Sequence, residues 1–220
     1  MRSNKVQENL KMKKTSLILV LLISLGCITY AQTVTIGSQV WMNKNLDVAT
    51  FRNGDSIPHS KTDQEWKKAG ESKQPAWCYY DNDPANGAKY GKLYNWYAVI
   101  DSRGLAPVGY HIPSKEEWEL LIDNLGGNKT AGNKLISSIG WNNNRNGTNV
   151  SGFNGLPGGR RYTYGSDIKF ELEGNCSFWW SSSGHSPDHS WFWPIDDGEI
   201  ILYWNYCFRA NGLSVRSIKD

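Results

Sequence analysis

The segment 114–125, with the sequence SKEEWELLIDNL, is the clearest helix in the chain. Ser114 and Glu117 form a capping box, in which each side chain accepts a hydrogen bond from the backbone N–H of the other residue. Apolar residues then recur at helical spacing, namely Trp118, Leu121, Ile122 and Leu125. The pair Gly126-Gly127 ends the pattern. The segment therefore predicts one amphipathic helix over 115–125, with its apolar side against a core.

Strands and two further helices are predicted around this helix. The helices cover about 130–138, with Leu135, Ile136 and Ile139 facing inward, and a short stretch over 63–69. The predicted strands are 33–36 and 39–42, which form a hairpin around Gly37-Ser38, then 178–181, 190–194, 199–206 after a turn at Asp197-Gly198, and 213–218. Residues 142–159 are a long Asn/Gly-rich loop. The pattern indicates an α+β domain of small antiparallel sheets, two main helices and long loops.

The first 31 residues have the composition of a cleavable signal peptide. Lys11, Lys13 and Lys14 precede an apolar run over 17–25, and the small-residue pattern TYA over 29–31 follows it. We therefore expect cleavage between Ala31 and Gln32. The expected product is a single exported domain over 32–220, which is periplasmic, secreted or held at the cell surface.

Two other interpretations of the N-terminal segment are weaker. The apolar run is much shorter than the roughly 20 residues that span a bilayer, so no membrane span is expected after cleavage. Acylation of Cys27, which would make the chain a lipoprotein, is disfavoured because Ser24 occupies a position where such sites want an aliphatic residue.

Removal of the signal peptide also changes the charge. The first 31 residues hold five of the 24 basic residues and one of the 21 acidic residues, so 19 basic and 20 acidic residues remain, a net charge of −1. A near-neutral domain lacks the electrostatic basis for binding phosphate backbones, and we expect no nucleic-acid partner.

Three cysteines remain in the predicted mature domain, so at most one disulfide can form within a monomer. Cys176 and Cys207 both lie in the aromatic, strand-rich C-terminal half, and we predict that they pair. Cys78 then remains as a thiol, and its neighbours Trp77 and Tyr79 favour a small buried core residue over a reactive nucleophile.

Four ordered blocks of sequence resemble the Fibrobacter succinogenes major paralogous domain family. The blocks are IGSQVWMNKNL at 36–46, GKLYNWYAV at 91–99, PVGYHIPS with EW at 107–118, and GLSVR at 212–216. The resemblance runs over nearly all of residues 33–220. The family occurs in exported bacterial proteins and has no settled biochemical activity, so the resemblance implies more about the fold than about the function.

A departure from this family pattern involves two positions together. Many relatives have cysteines where this chain has Ala106 and Ser217. If those cysteines are bonded in the relatives, this chain lacks a covalent link that is worth roughly 2 to 4 kcal/mol. Core burial must then carry more of the stability.

A more distant resemblance concerns residues 111–119, which are similar to the helix-opening block of the formylglycine-generating sulfatase-modifying family. Residues 212–216 resemble the closing strand of that family. Such proteins have a C-type-lectin-like fold, and the resemblance implies that fold here. Their catalysis needs two closely spaced cysteines near the C-terminus, which Cys176 and Cys207 do not match. We therefore predict no enzymatic activity and no catalytic residues.

Eleven tryptophans raise the question of sugar binding, because aromatic faces stack on pyranose rings. Five of them lie in regularly patterned segments where burial explains them, namely Trp41, Trp96, Trp118, Trp180 and Trp204. Trp141, Trp191 and Trp193 lie in or beside polar loops. Together with Asp188 and His189 they are the candidate ligand-binding residues, on one loop face formed by 142–149 and 185–193. Packing at the loop bases is the alternative.

Two acidic clusters could supply oxygen ligands for calcium. They contain Asp81 with Asp83, and Asp196 with Asp197. Neither has the spacing of a calcium-binding loop, and turn formation by Asp, Asn, Pro and Gly accounts for both. A zinc site in His185–His189 is also disfavoured, because Pro187 prevents a helical arrangement of the two histidines. We therefore expect no cofactor, and calcium is the candidate if the domain binds a metal ion.

These observations predict an exported, non-catalytic module that binds glycans or envelope proteins through its loops. The alternative is a structural or assembly component of the cell envelope. A third hypothesis, an enzyme related to the formylglycine-generating proteins, has the weakest support because the required cysteine pair is absent.

Overall fold

The computed structural model describes residues 32–195 and 205–220, which form short helices and three small sheets. The strands are β1 (Thr33–Ile36), β2 (Gln39–Met42), β3 (Trp77–Cys78), β4 (Leu93–Tyr94), β5 (Tyr110–His111), β6 (Gly158–Tyr164), β7 (Asp167–Glu173), β8 (Ser177–Gly184), β9 (His189–Ile195), β10 (Asn205–Phe208) and β11 (Ile218–Lys219). The helices are α1 (Asp63–Glu71), α2 (Pro84–Tyr90), α3 (Trp96–Val99), α4 (Lys115–Asn124) and α5 (Asn128–Leu135). Within these ranges no helix has the length and apolar character needed to cross a bilayer.

Helix α4 confirms the prediction made from its capping box. The Ser114 side chain accepts a hydrogen bond from the backbone N–H of Glu117, and the Glu117 carboxylate accepts one from the backbone N–H of Ser114. The apolar stripe of Trp118, Leu121 and Ile122 is buried. The chain leaves the helix at Leu125, and Gly126-Gly127 continues with positive φ angles.

The other two predicted helices exist with different bounds. Helix α5 starts two residues earlier than predicted and ends at Leu135, because Ile136 already has an extended backbone. Leu135 and Ile136 are buried as expected, but Ile139 lies beyond the helix and is 71% exposed, so its predicted inward orientation is wrong. Helix α1 has nine residues, with a capping box between Thr62 and Glu65, and is longer than the short helix that the sequence predicted.

The first sheet joins the two ends of the described chain in the order β1-β2-β11-β5. The predicted β1–β2 hairpin is confirmed, with Ile36 opposite Gln39 and Gly37 in the left-handed turn conformation. Strand β11 lies between β2 and β5, so that Ile218 is opposite both Trp41 and His111.

The second sheet has five strands in the order β10-β9-β8-β6-β7. Its hairpins are antiparallel, but β6 and β8 run parallel where Gly159 faces Ser177. The expectation of purely antiparallel sheets is therefore corrected at this one pair. A third, two-stranded sheet pairs β3 with β4. Small sheets, short helices and long connections make the domain α+β, as predicted. The predicted turn at Asp197-Gly198 lies outside the described residues.

The core is built largely from tryptophan. Trp41, Trp96, Trp118 and Trp180 are all buried, as their regular segments predicted, whereas Trp204 lies outside the described residues. The Trp118 ring lies 4.8 Å from Trp41 and stacks on Trp193 at 6.1 Å. Rings of this size let a domain with small sheets bury enough apolar surface to be stable.

Candidate functional site

Strands β9 and β10 place four aromatic side chains on one face of the second sheet. Tyr206 is opposite Trp191, and Phe208 is opposite His189. Because directly opposite residues of antiparallel strands share a face, and residues two apart on a strand also do, all four rings lie on the same side. The intervening Ser190 and Cys207 point to the other side.

The rings are in mutual contact, and the β8–β9 turn adds His185. The His185 imidazole stacks on Tyr206 with ring centroids 4.1 Å apart and meets Trp191 edge-on at 4.4 Å. His189 lies 4.2 Å from Phe208. Tyr206 is 50% exposed, so the cluster is open to solvent. We call these five residues the β9–β10 aromatic surface.

A cleft of about 340 Å³ continues from this surface through Phe208. Its walls come from α1, the β6–β7 turn, Tyr97 of α3 and the segment after β10. Tyr164, which is 59% exposed, contacts Phe208 at 5.3 Å across the cleft. Asp188 and Arg209 provide charged groups beside the aromatic walls. We call this the Arg209 cleft.

Arg209 is held in place by its surroundings. Its guanidinium lies 4.1 Å above the Trp96 ring, and Nε donates to Ser190 Oγ at 3.0 Å. Its backbone N–H donates to the carbonyl of Asp188, which fixes the β8–β9 turn against the cleft. The Tyr97 hydroxyl, whose pKa burial raises further above its ordinary value of 10, is protonated at neutral pH and is able to donate a hydrogen bond. The cleft thus combines apolar rings with fixed polar groups.

Two of the three predicted stacking tryptophans are core residues. Trp141 is 5% exposed, and its indole N–H donates to Ser137 Oγ and to the Gly155 carbonyl. Trp193 is 1% exposed and stacks on Trp118. The prediction that they present rings to a ligand is wrong, since the polar loops around them fold back over a tryptophan core. Trp191 is part-exposed on the aromatic surface.

The single predicted loop face is also corrected. Asn142 contacts Gly174 and Asn175, which lie in the turn between β7 and β8. Residues 185–188 form the turn that follows β8. The two predicted segments therefore lie at opposite ends of one strand, and only Asp188, His189 and Trp191 of the 185–193 segment belong to the candidate site.

The candidate calcium ligands Asp81 and Asp83 form turn and cap structure. Asp83 caps α2 by accepting from the backbone N–H of Ala85 at 2.9 Å, and Asp81 has a left-handed backbone. Burial, together with Glu173 and Asp83, raises the pKa of Asp81. Among the described residues, His, Cys, Asp and Glu side chains do not gather into a group of three suited to a metal ion. Asp196 and Asp197 lie outside the described residues.

The structure does not join Cys176 to Cys207 by a disulfide. Cys207 is opposite Ser190 at the start of β9, whereas Cys176 precedes Ser177, which is opposite Ile195 at the other end. Five residues of an extended strand separate these two rows by roughly 16 Å. A disulfide requires Cα atoms within about 7 Å of each other. Sharing a strand-rich region was therefore insufficient to predict the bond.

Cys78 is a buried core residue, as predicted. It is 0% exposed, and burial raises the pKa of its thiol to about 12. A thiol with this pKa is almost entirely protonated at neutral pH and is not a nucleophile.

Tyr164, Tyr206, Phe208 and Arg209 were not predicted as site residues. One signal was present: the alternation Tyr206-Cys207-Phe208 matches His189-Ser190-Trp191, so pairing of the two segments puts the rings on one face. The position of Tyr164 depends on contacts distant in sequence and had no such signal.

The architecture and the cleft define a small α+β domain with an open, aromatic-walled site. The family model described as the Fibrobacter succinogenes major domain matches residues 34–219. The chain therefore belongs to this family. No curated protein and no solved structure matches the sequence.

Proposed function

We propose that this chain is an exported, non-catalytic module of the cell envelope that binds glycans at the β9–β10 aromatic surface and the Arg209 cleft. The observation that carries the proposal is the juxtaposition of the exposed Tyr164 ring and the part-exposed Phe208 ring with the charged groups of Asp188 and Arg209. Sugars present both apolar C–H faces and hydroxyl groups, so a site for them needs both kinds of surface.

The charge of the cleft suits a neutral or weakly charged ligand. Lys73 lies 3.9 Å from Asp188, and α1 contributes Lys67 and Glu71 to the wall. Both signs are present and exposed, so no strong field of one sign selects a highly charged partner. Hydroxyl groups can donate to the carboxylates and accept from Arg209.

The proposal includes a C-type-lectin-like fold and export. The pairing of β2 with β11 supports the fold, because such domains join their two ends in one sheet and place their sites on loops. The signal-peptide pattern of residues 1–31 supports export.

Glycan-array binding tests the proposal with a Tyr164→Ala variant. Tyr164 is exposed, so removal of its ring should leave the fold intact. The affinity for the glycan should fall by roughly five- to 150-fold, as expected for loss of an aromatic anchor that contributes about 1 to 3 kcal/mol. Ile139→Ala is the matched control, because Ile139 is an exposed apolar residue outside the site. Its affinity should equal that of the original protein.

A glycan that binds both variants equally would contradict the site. A second outcome would contradict glycan binding and support the structural or assembly role. In that outcome no glycan binds, the protein captures a purified envelope protein, and the Tyr164→Ala variant no longer captures it.

A further inference from the structure

Arg216 is a buried cation whose charge is not neutralised. The residue is 1% exposed and lies in a second cleft, of about 270 Å³, between the segment after β2 and helix α2. Its guanidinium donates to the Asn45 side chain at 2.7 Å and to three backbone carbonyls, those of Met42 at 2.8 Å, Phe153 at 2.8 Å and Asn154 at 3.0 Å. All four acceptors are neutral, and within the described residues no carboxylate pairs with it.

The Arg216 guanidinium does not use all of its N–H donors within the protein. A guanidinium has five N–H donors. Nε uses one, Nη1 uses two, and Nη2 uses one on Asn154, which itself lines the cleft. One Nη2 N–H therefore has no acceptor among the described residues. Burial lowers the pKa of Arg216 to about 9, which still leaves the group charged at neutral pH.

The other charged residues of this cleft are mostly basic. Lys44 and Lys89 line it with Arg216, and Asp47 is the one lining carboxylate among the described residues. Asp47 is already engaged by an ion pair with Lys92. Lys89 has a longer contact, 3.5 Å, with Glu173, which does not line the cleft. The lining groups carry three positive charges and one negative charge, so the cleft attracts an anion.

Asn43 adds a requirement for a hydrogen-bond donor. It lines the same cleft, and its Oδ1 atom is buried with no partner among the described residues. A buried acceptor without a donor costs roughly 1 to 3 kcal/mol. A ligand hydroxyl at this position would remove the cost. Inorganic anions at neutral pH offer few such donors, whereas sugar acids offer several.

We propose that the Arg216 cleft binds a small hydroxylated carboxylate, of the size of a single sugar acid, with its carboxylate near Arg216 and Lys44 and a hydroxyl donating to Asn43. This site shares no lining residue with the Arg209 cleft and does not depend on the function proposed for that cleft. Its volume is near the lower end for small-molecule sites and fits one ring.

Titration calorimetry with glucuronate tests the proposal, with glucose and inorganic phosphate as comparison ligands. Glucuronate should bind, and both comparison ligands should bind at least roughly tenfold more weakly, because each lacks either the charge-assisted hydrogen bond or the hydroxyl groups. The full chain is used, and its near-UV circular dichroism is recorded for every variant.

Variants locate the binding. Lys44→Gln changes an exposed side chain and should lower the affinity for glucuronate by roughly two- to fivefold, the range for loss of an exposed ion pair. Lys129→Gln, an exposed lysine on α5, is the matched control and should change nothing. Arg216→Gln should abolish binding, but it also leaves three backbone carbonyls without their donor and so destabilises the fold, and the Lys44→Gln result therefore decides.

Four outcomes would overturn the proposal. The first three are no binding of glucuronate, equal binding of glucose, and equal loss of affinity in the Lys44→Gln and Lys129→Gln variants. Equal affinity for phosphate and glucuronate would overturn it as well, since the cleft would then hold an adventitious ion only.

Discussion

At the scale of single residues, two fully buried serines differ in their hydrogen bonding. Ser137 donates to the carbonyl of Ile139 at 2.6 Å and accepts from the indole N–H of Trp141. Ser217 is also 0% exposed, but its hydroxyl has no hydrogen-bond partner among the described residues. A buried hydroxyl stabilises a fold only when it is paired.

We predict that Ser217→Ala leaves the domain as stable as before or stabilises it by up to roughly 1 kcal/mol, because an unsatisfied hydroxyl is removed. Ser137→Ala is the matched control and should cost roughly 1 to 2 kcal/mol, since it removes two buried hydrogen bonds, one to the Ile139 carbonyl and one from the Trp141 indole. Urea unfolding monitored by tryptophan fluorescence measures both. A larger loss for Ser217→Ala than for Ser137→Ala would contradict the assignment.

The sequence did not predict which charged side chains are buried. Arg161 is 0% exposed between the rings of Trp66 and Phe170 and pairs with Asp63 at 2.7 Å, although Arg160 beside it is part-exposed. Arginine is usually exposed, so composition and periodicity give no reason to bury it. One partner, Phe170, lies opposite Arg161 in the β6–β7 hairpin, but the paired carboxylate of Asp63 and the ring of Trp66 lie on α1, with Asp63 98 positions away in the sequence.

At the scale of elements, His111 connects strand β5, helix α4 and the segment after β11. Its Nε2 atom lies 2.8 Å from Glu117 and its Nδ1 atom 2.7 Å from Asp220. Burial disfavours the charged imidazole, but the hydrogen bonds to Asp220 and Glu117 outweigh it and raise the pKa of His111 above its ordinary value of 6.5. Protonated His111 can donate to both carboxylates at once.

We predict that the free energy of unfolding falls as pH rises through the raised pKa of His111. The folded protein binds this proton more tightly than the unfolded chain, so the stabilisation is complete below about pH 6.5 and is lost above the folded pKa. His111→Gln should reduce this pH dependence, which urea unfolding at a series of pH values between 5 and 9 measures. Asp220→Asn, which keeps one carboxylate, should reduce it less. An unchanged slope in His111→Gln would contradict the role of this residue.

Elements with local signals were predicted well, and those with distant partners were not. The β1–β2 hairpin and α4 are specified by a turn and a capping box within their own segments. The end of α5, the register of β8 against β9 and the burial of Trp193 depend on contacts with other segments. The candidate site shows the same division, because Trp191 was predicted but Tyr164 was not.

At the scale of the whole molecule, the four-stranded sheet depends on Ile218. This residue is 3% exposed in the core that contains Trp41 and Trp118. We predict that Ile218→Asp costs at least roughly 3 kcal/mol, because it removes apolar burial and buries a carboxylate. The neighbouring Lys219 is exposed, and Lys219→Asp should change stability by less than about 0.5 kcal/mol. Thermal unfolding by circular dichroism compares them, and similar melting temperatures would contradict the prediction.

The pairing of β2 with β11 also determines when the domain can fold. Trp41 and Ile218 are 177 positions apart in the chain, so the strands that flank β11 lack their partner until nearly all of the domain has been synthesised. Synthesis proceeds at about 5 to 20 residues per second, and pairings of such long range form slowly. The growing chain therefore spends seconds without its central strand. A chain in that state has unpaired strand edges, and its final topology is reached only once β11 is available to pair.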